Sequence, residues 1–324
     1  MMSRLNAKMH TLSICISLAL SIAVVTGAKS QTPAPVVTMD AASLFDYDKG
    51  LALSPEEGSS TASGNMVTIN VKYQSINNQK VPAVLVLPKD RGDNKIPCVV
   101  LMHGLGMNKM GLMLFWGQFI KSGFAVISID AQYHGDRAQK PAPELFGSSV
   151  YATRELLIQT VVDLRRTVDY LETRPEIDSK RIGYVGFSMG GILGSIACSV
   201  DKRFVAPVLA LAGGDWKLMS AKSKLPAADA VRKAGLASSQ MASVLEPVDP
   251  VKWVAGIAPR PVLFINGDAD DVVPVECGRA LHAAAGPISE VMIYKGGHVP
   301  AGAEMLKVIT KIGSWCDAHL KAPK

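Results

Sequence analysis

Ile182-Gly183-Tyr184-Val185-Gly186-Phe187-Ser188-Met189-Gly190-Gly191 is an apolar strand that runs into a glycine-flanked serine and on into a helix-forming segment, Gly190 to Val200. A serine displayed on so sharp a strand-to-helix turn has a strained backbone. Its neighbours two positions away pass so close that only small residues fit, which is why glycine is needed at 186 and 190. The Gly-x-Ser-x-Gly string is a weak signal by itself; the strand before it and the helix after it are the context that an exposed nucleophile needs.

Outward from this stretch, short apolar strands are predicted at 98–102, 125–129, 182–185, 207–211, 262–265 and 291–294. Helices are predicted at 110–121, 153–172, 190–200, 274–285 and 303–320. The alternation predicts an α/β fold, a mostly parallel, doubly wound sheet covered on both faces. Residues 66–74 and 80–88 alternate β-formers around Asn77-Asn78, which predicts an N-terminal antiparallel hairpin. About fifty residues separate the strands at 207–211 and 262–265, against a usual connection of about 4 to 6, so residues 213–258 are expected to form a small cap insertion with its own helices. Trp216, Leu218, Met219 and Met241 are candidates for its apolar underside, with Trp216 a candidate substrate contact.

Ligands in this architecture sit beyond the carboxyl ends of the strands, so the post-strand loops hold the candidate site residues. An activated serine needs a base and an acid, which in this fold follow it in the order acid, then histidine. After the strand at 262–265 come Asn266-Gly267-Asp268-Ala269-Asp270-Asp271, and after the strand at 291–294 come Lys295-Gly296-Gly297-His298. His282 and His319 fall inside predicted helices, which leaves His298 as the base. The tetrahedral intermediate needs two backbone donors. One is the Met189 amide, at a helix start where free N–H groups favour negative charge. The other is the Leu105 amide in the loop His103-Gly104-Leu105-Gly106, with the His103 side chain expected as a structural hydrogen-bonder. In the loop Asp130 to Arg137, His134 and Arg137 are candidate residues of the pocket mouth, beside the plainer reading of a loop tied by Asp136 and Arg137.

Gly186 to Gly191, the segment Leu101-Met102-His103-Gly104-Leu105-Gly106, residues 259–274 and Lys295 to His298 together resemble the α/β-hydrolase superfamily. The likeness is strongest to its dienelactone hydrolase and acetyl xylan esterase branch, which also resembles the catalytic domain of prolyl oligopeptidases. The motifs stand in the family's order and span roughly residues 64 to 320. The resemblance implies Ser188 as nucleophile, His298 as general base, Asp270 as the acid that orients it, and Leu105 and Met189 as oxyanion donors. It leaves the substrate open, and nothing in the sequence suggests a metal or organic cofactor. The local chemistry agrees with Asp270: Asp268, directly after the glycine, suits a turn, and Asp271, close to a helix starting at Pro274, suits a cap.

The composition is compatible. The chain has 324 residues, 48% hydrophobic and 19% charged, with no internal repeat, which is enough apolar material for a large core. Its 34 basic and 28 acidic residues are spread along the chain, so the net charge of +6 is no nucleic-acid footprint. Arg4 and Lys8 precede an uncharged apolar stretch from Thr11 to Val25 and the small residues Thr26-Gly27-Ala28. This predicts a secretory signal peptide over residues 1–28, cleaved after Ala28 or Ser30 and shorter in its apolar part than the roughly 20 residues of a spanning helix. Residues 29–63 follow as an extension and 64–324 as the catalytic domain.

Cys98 and Cys198 are expected as isolated buried thiols, while Cys277 and Cys316 fall on predicted helices and leave a pairing open. The expectation is thus an exported or periplasmic serine esterase acting through an acyl-enzyme on a small-molecule, carbohydrate or polyester ester. It has no nucleic-acid partner, no stable membrane insertion after signal cleavage and no oligomeric state set by sequence. The alternatives are a prolyl-oligopeptidase-like peptidase, an acyltransferase, and a non-catalytic small-molecule binder on the same fold.

Overall fold

Along β4, Ile96–Met102, the residues Cys98, Val100 and Met102 enter one hydrophobic core while Val99 and Leu101 enter another, the pattern of a strand buried on both faces. The computed structural model describes residues 40–233 and 243–321. The expected signal peptide and Met241 lie outside them.

Nine strands among the described residues form one sheet: β1 (Glu56–Ser63), β2 (Met66–Gln74), β3 (Lys80–Pro88), β4, β5 (Ala125–Ile129), β6 (Ile177–Phe187), β7 (Val208–Ala210), β8 (Val262–Gly267) and β9 (Ser289–Tyr294). Their order is β1-β2-β3-β5-β4-β6-β7-β8-β9, antiparallel from β1 to β5 and parallel from there to β9. The hairpin β2–β3 spans the residues that alternation marks. The chain reverses direction across the sheet at β4, so the loops leaving β4 and β6 open side by side at the carboxyl edge.

Eight helices are labelled α1 (Trp116–Lys121), α2 (Val150–Thr173), α3 (Met189–Val200), α4 (Trp216–Lys222), α5 (Pro226–Lys233), α6 (Pro250–Trp253), α7 (Val275–Ala285) and α8 (Gly302–Leu320). Phe119 and Ile120 of α1 and Val308, Ile312 and Trp315 of α8 pack on one face of the sheet; Leu157 and Leu164 of α2, Ile192 and Ile196 of α3 and Leu281 of α7 pack on the other. The described residues of the segment 213–258 carry α4, α5 and α6.

Three expectations need correction. The helix expected over 110–121 is shortened to a 3-10 turn, Met113–Phe115, and α1, because the Lys109 and Met110 amides are taken by the side chains of Asp130 and Asn108. The extension 29–63 contributes β1, and in the same segment Phe45 is fully buried with its ring edge-on to Trp253 at 5.0 Å. Cys277 and Cys316 are both free and buried, since α7 and α8 pack on opposite faces of the sheet.

Candidate active site

Ser188 follows β6 directly and adopts φ 55°, ψ −117°, a conformation that L-residues rarely hold. Two hydrogen bonds fix it there: its amide donates to the Ala210 carbonyl at 2.8 Å and its carbonyl accepts from the Ile192 amide at 3.0 Å. The flanking glycines are required by contact. A Cβ at Gly186 would stand 2.3 Å from the Gly190 carbonyl oxygen, and one at Gly190 would stand 2.2 Å from that of Met102.

His298 arrives on the loop after β9. The Tyr294 hydroxyl lies 2.8 Å from the Gly297 carbonyl oxygen and 2.9 Å from that of His298, donating to this pair. The same loop is zipped to the one after β8: Asp268 N–H donates to Tyr294 O at 3.0 Å, Ala269 N–H to Gly296 O at 2.9 Å, and Gly296 N–H to the Asp268 carboxylate at 3.0 Å. Gly267 makes that approach possible, because a Cβ there would lie 2.4 Å from the Gly297 carbonyl oxygen. It is the last residue of β8, and its lack of a side chain allows that close packing of backbones.

The structure brings Ser188, His298 and Asp270 into one chain of hydrogen bonds. His298 Nε2 is 2.9 Å from Ser188 Oγ, and His298 Nδ1 is 2.8 Å from Asp270 Oδ2. An ionised carboxylate only accepts, so Nδ1 carries the hydrogen and Nε2 is left to accept from the serine hydroxyl. The Asp270 side chain is 1% exposed and that of His298 15%. Asp270 Oδ1 also accepts from the amides of Val272 and Val273, at 3.0 and 2.9 Å. This overturns the cap expected at Asp271: α7 starts behind Pro274 with no side-chain cap, and Asp271 instead pairs with Lys224 in solvent at 3.1 Å.

The loop after β4 passes directly against Ser188; a Cβ at Gly104 would meet the Ser188 Cβ at 3.4 Å. His103 is the structural hydrogen-bonder expected. The Ala131 amide donates to its Nε2 at 3.2 Å, so Nδ1 carries the hydrogen that is donated to the Gly104 carbonyl at 2.8 Å. Burial pushes its pKa down to about 4, which keeps the ring neutral. Leu105 and Met189 both line the cavity above Ser188, and the Met189 amide opens α3, where the helix supplies no carbonyl for it.

Sequence reasoning missed what anchors this loop. The Asp130 carboxylate, fully buried, accepts from Lys109 N at 2.7 Å, Lys109 Nζ at 2.8 Å and Asp136 N at 2.9 Å. An aspartate directly after a strand was the available signal.

His134 and Arg137 are not among the described residues that line the cavity, and the loop is instead tied by Arg137, which donates to the Asp130 carbonyl at 3.3 Å, and by Asp136, which pairs with Lys109 at 3.1 Å. Arg137 donates to Asp163 at 2.5 Å, to Gln79 at 2.5 Å and to Gln132. Asp163 is a fully buried carboxylate on α2, and a buried charge needs a cation more than the cavity needs an arginine. His134 Nδ1 sits 2.9 Å from the Gln132 carbonyl, with its ring buried beside that of His103.

Trp216 does face the cavity, as do Met219, Leu225, Ala228 and Leu245 of the cap; Leu218 does not. The start of α4 is held by Asp249, whose carboxylate accepts from the amides of Asp215, Trp216 and Val251, while the Trp216 indole N–H donates to Val248 O at 3.2 Å. The cavity has a volume of about 440 Å³ and opens beside Ser188 and His298.

Two family models match the chain: one described as the prolyl oligopeptidase family over residues 148–322, and one described as acetyl xylan esterase over residues 48–212. A Bacillus subtilis protein named putative hydrolase YtaP is 25% identical over 213 residues, 61% of this chain and 68% of that one. An acetyl xylan esterase from Paenibacillus sp. R4 superposes with a TM-score of 0.73 at 19% identity, covering 86% of this chain and 92% of the other. Acetyl xylan esterase 1 from Thermoanaerobacterium sp. JW/SL YS485 superposes with a TM-score of 0.69 at 17% identity, covering 85% and 91%.

Proposed function

This chain belongs to the prolyl oligopeptidase and acetyl xylan esterase families of the α/β-hydrolase superfamily, and from that premise we propose that it is an exported serine hydrolase that cleaves carboxylic esters through an acyl-enzyme. One observation carries the reading: the unbroken chain from Ser188 Oγ through His298 to Asp270, at 2.9 and 2.8 Å, beside a cavity.

In the first half-reaction Ser188 Oγ bonds to the ester carbonyl carbon as His298 Nε2 takes its proton. The oxyanion faces the Leu105 and Met189 amides. As the bond to the alcohol oxygen breaks, His298 returns the proton to the leaving alkoxide. Water then attacks the acyl-enzyme, passes a proton through His298 to Ser188, and releases the carboxylic acid. Asp270 stays ionised throughout and holds the imidazole in the tautomer that accepts from serine.

The match over residues 148–322 favours a second reading, a peptidase using the same relay. The test is fluorophosphonate labelling with mapping of the modified residue, followed by a p-nitrophenyl ester beside a peptide amide. Labelling at Ser188 with ester turnover is the expected result. Amide cleavage without ester cleavage would replace esterase by peptidase, and a folded chain that takes no label would point to a binder. Export rests on Arg4, Lys8 and the apolar stretch Thr11 to Val25, and is tested by sequencing the mature N-terminus, expected at Lys29 or Gln31.

A further inference from the structure

We propose that the cavity beside Ser188 selects esters of medium-length apolar acyl chains over acetyl esters of sugars; this rests on the ester-hydrolase reading above. The described residues that line it include no Asp, Glu, Lys, Arg, Asn or Gln. Its walls are Leu112, Phe115, Phe146, Trp216, Leu245 and their apolar neighbours.

The hydroxyls that do face inward are already engaged. Thr153 Oγ1 donates to Ser149 O at 3.1 Å and accepts from Phe146 N, Ser220 Oγ donates to Lys217 O at 3.0 Å, and Ser223 Oγ donates to Val272 O at 2.6 Å. A sugar entering here would lose its hydrogen bonds to water and find few replacements, whereas a hydrocarbon chain loses nothing. At about 440 Å³ the space belongs to the class that encloses a drug-sized molecule, and a two-carbon acyl group would leave most of it filled with water.

Backbone strain points to the same cavity. Phe146 and Leu211, both bulky, hold φ values of 56° and 58°, and together with Ser188 they line it. Such conformations persist only where surroundings enforce them, and they gather at sites that position a ligand. The Phe146 amide is held by Thr153 at 2.8 Å and its ring lies 5.8 Å from that of Trp216, so the body of the fold and the cap meet in one aromatic wall.

The experiment is a p-nitrophenyl series from acetyl to dodecanoyl beside an acetylated xylooligosaccharide, on the full chain, with Ser188 labelling as a parallel readout. We expect kcat/KM to rise about fourfold per added methylene, the effect of burying one such group, up to a chain that fills the cavity, and acetylated sugar to be the poorest substrate. Ala228→Leu, which adds bulk to the cap wall, lowers the decanoyl-to-acetyl ratio at least tenfold; Met219→Trp, at a half-buried site, does the same should the first variant fold poorly. A series that is fastest at acetyl and falls with length, with Ser188 still labelled, overturns the acyl-chain proposal and leaves the esterase reading standing. No labelling and no ester turnover overturns both.

Discussion

Asp270 is joined to His298 by a 2.8 Å hydrogen bond at Oδ2 while its Oδ1 accepts two backbone amides, so one carboxylate both orients the imidazole and shapes the loop it stands on. An asparagine here offers one oxygen and one amine to partners that are all donors. Asp270→Asn is therefore expected to lower kcat by about 10³ to 10⁴, as removal of the orienting acid does elsewhere. Asp270→Ala also abandons the Val272 and Val273 amides, costing a further 1–2 kcal/mol or about that in urea unfolding. Asp271→Ala removes only a solvent-exposed ion pair, and should change stability by less than about 1 kcal/mol with turnover within roughly tenfold. Loss of turnover in Asp271→Ala instead would move the acid by one residue.

Ser188 combines the proposed chemistry with a backbone that glycine would hold more easily. Ser188→Ala removes the proposed nucleophile and should abolish turnover while the protein stays folded. Ser188→Gly should be equally inactive but more stable than Ser188→Ala by about 1 kcal/mol, because φ 55° carries no Cβ penalty for glycine. Equal melting temperatures for the two variants would argue against strain at the elbow.

Two glycine contacts make separable predictions. Gly190→Val drives a branched side chain into the Met102 carbonyl between β4 and α3, and is expected to cost about 3 kcal/mol or more, with loss of folded protein on expression. Gly267→Ala pushes on the Gly296 and Gly297 carbonyls and on the Tyr294 ring, displacing the His298 loop. Its signature should be kinetic, about a 10²-fold fall in kcat with a smaller stability loss, since misplacing the proposed base by about an ångström is enough. A Gly267→Ala enzyme with parental kcat would show that the two loops do not set the relay.

The pH dependence of stability follows from buried imidazoles. Burial pushes His103 and His282 down to about 4, and lowers His134, from an ordinary value of 6.5. Below 6.5 the unfolded chain binds protons that the folded chain refuses, so this contribution is fully present above pH 6.5 and is lost as pH falls toward 4. For His103 alone the loss amounts to about 3 kcal/mol. Urea unfolding at pH 7 and pH 5 should show the parent losing stability more steeply than His103→Gln, and parallel slopes would remove His103 as a source.

The parts legible in the sequence are those whose physics is local. Residues 182–191 announce strand, turn and helix within one window, and His298 stands out because the other histidines beyond the acids fall in helices. What was not legible depends on partners far along the chain. Arg137 is drawn inward by Asp163 of α2, and the Asp130–Lys109 pair that anchors the Leu105 loop joins a strand end to a loop with no pattern between them. The cap at Asp271 failed for a subtler reason: its neighbour satisfied the same amides one residue earlier. β1 was invisible because every residue of Glu-Glu-Gly-Ser-Ser-Thr-Ala-Ser is exposed, leaving no apolar alternation to detect.

That same strand has a consequence for how the protein behaves in a crowd. β1 occupies one margin of the sheet, and without it the outermost strand would be β2, whose Ile69, Val71 and Tyr73 face the core and whose backbone edge would be free to pair. The guard laid over it is polar, opens with two glutamates, and is interrupted by an irregularity in pairing between Glu57 and Ser60. Each of these traits discourages a neighbouring molecule from adding a further strand at that margin.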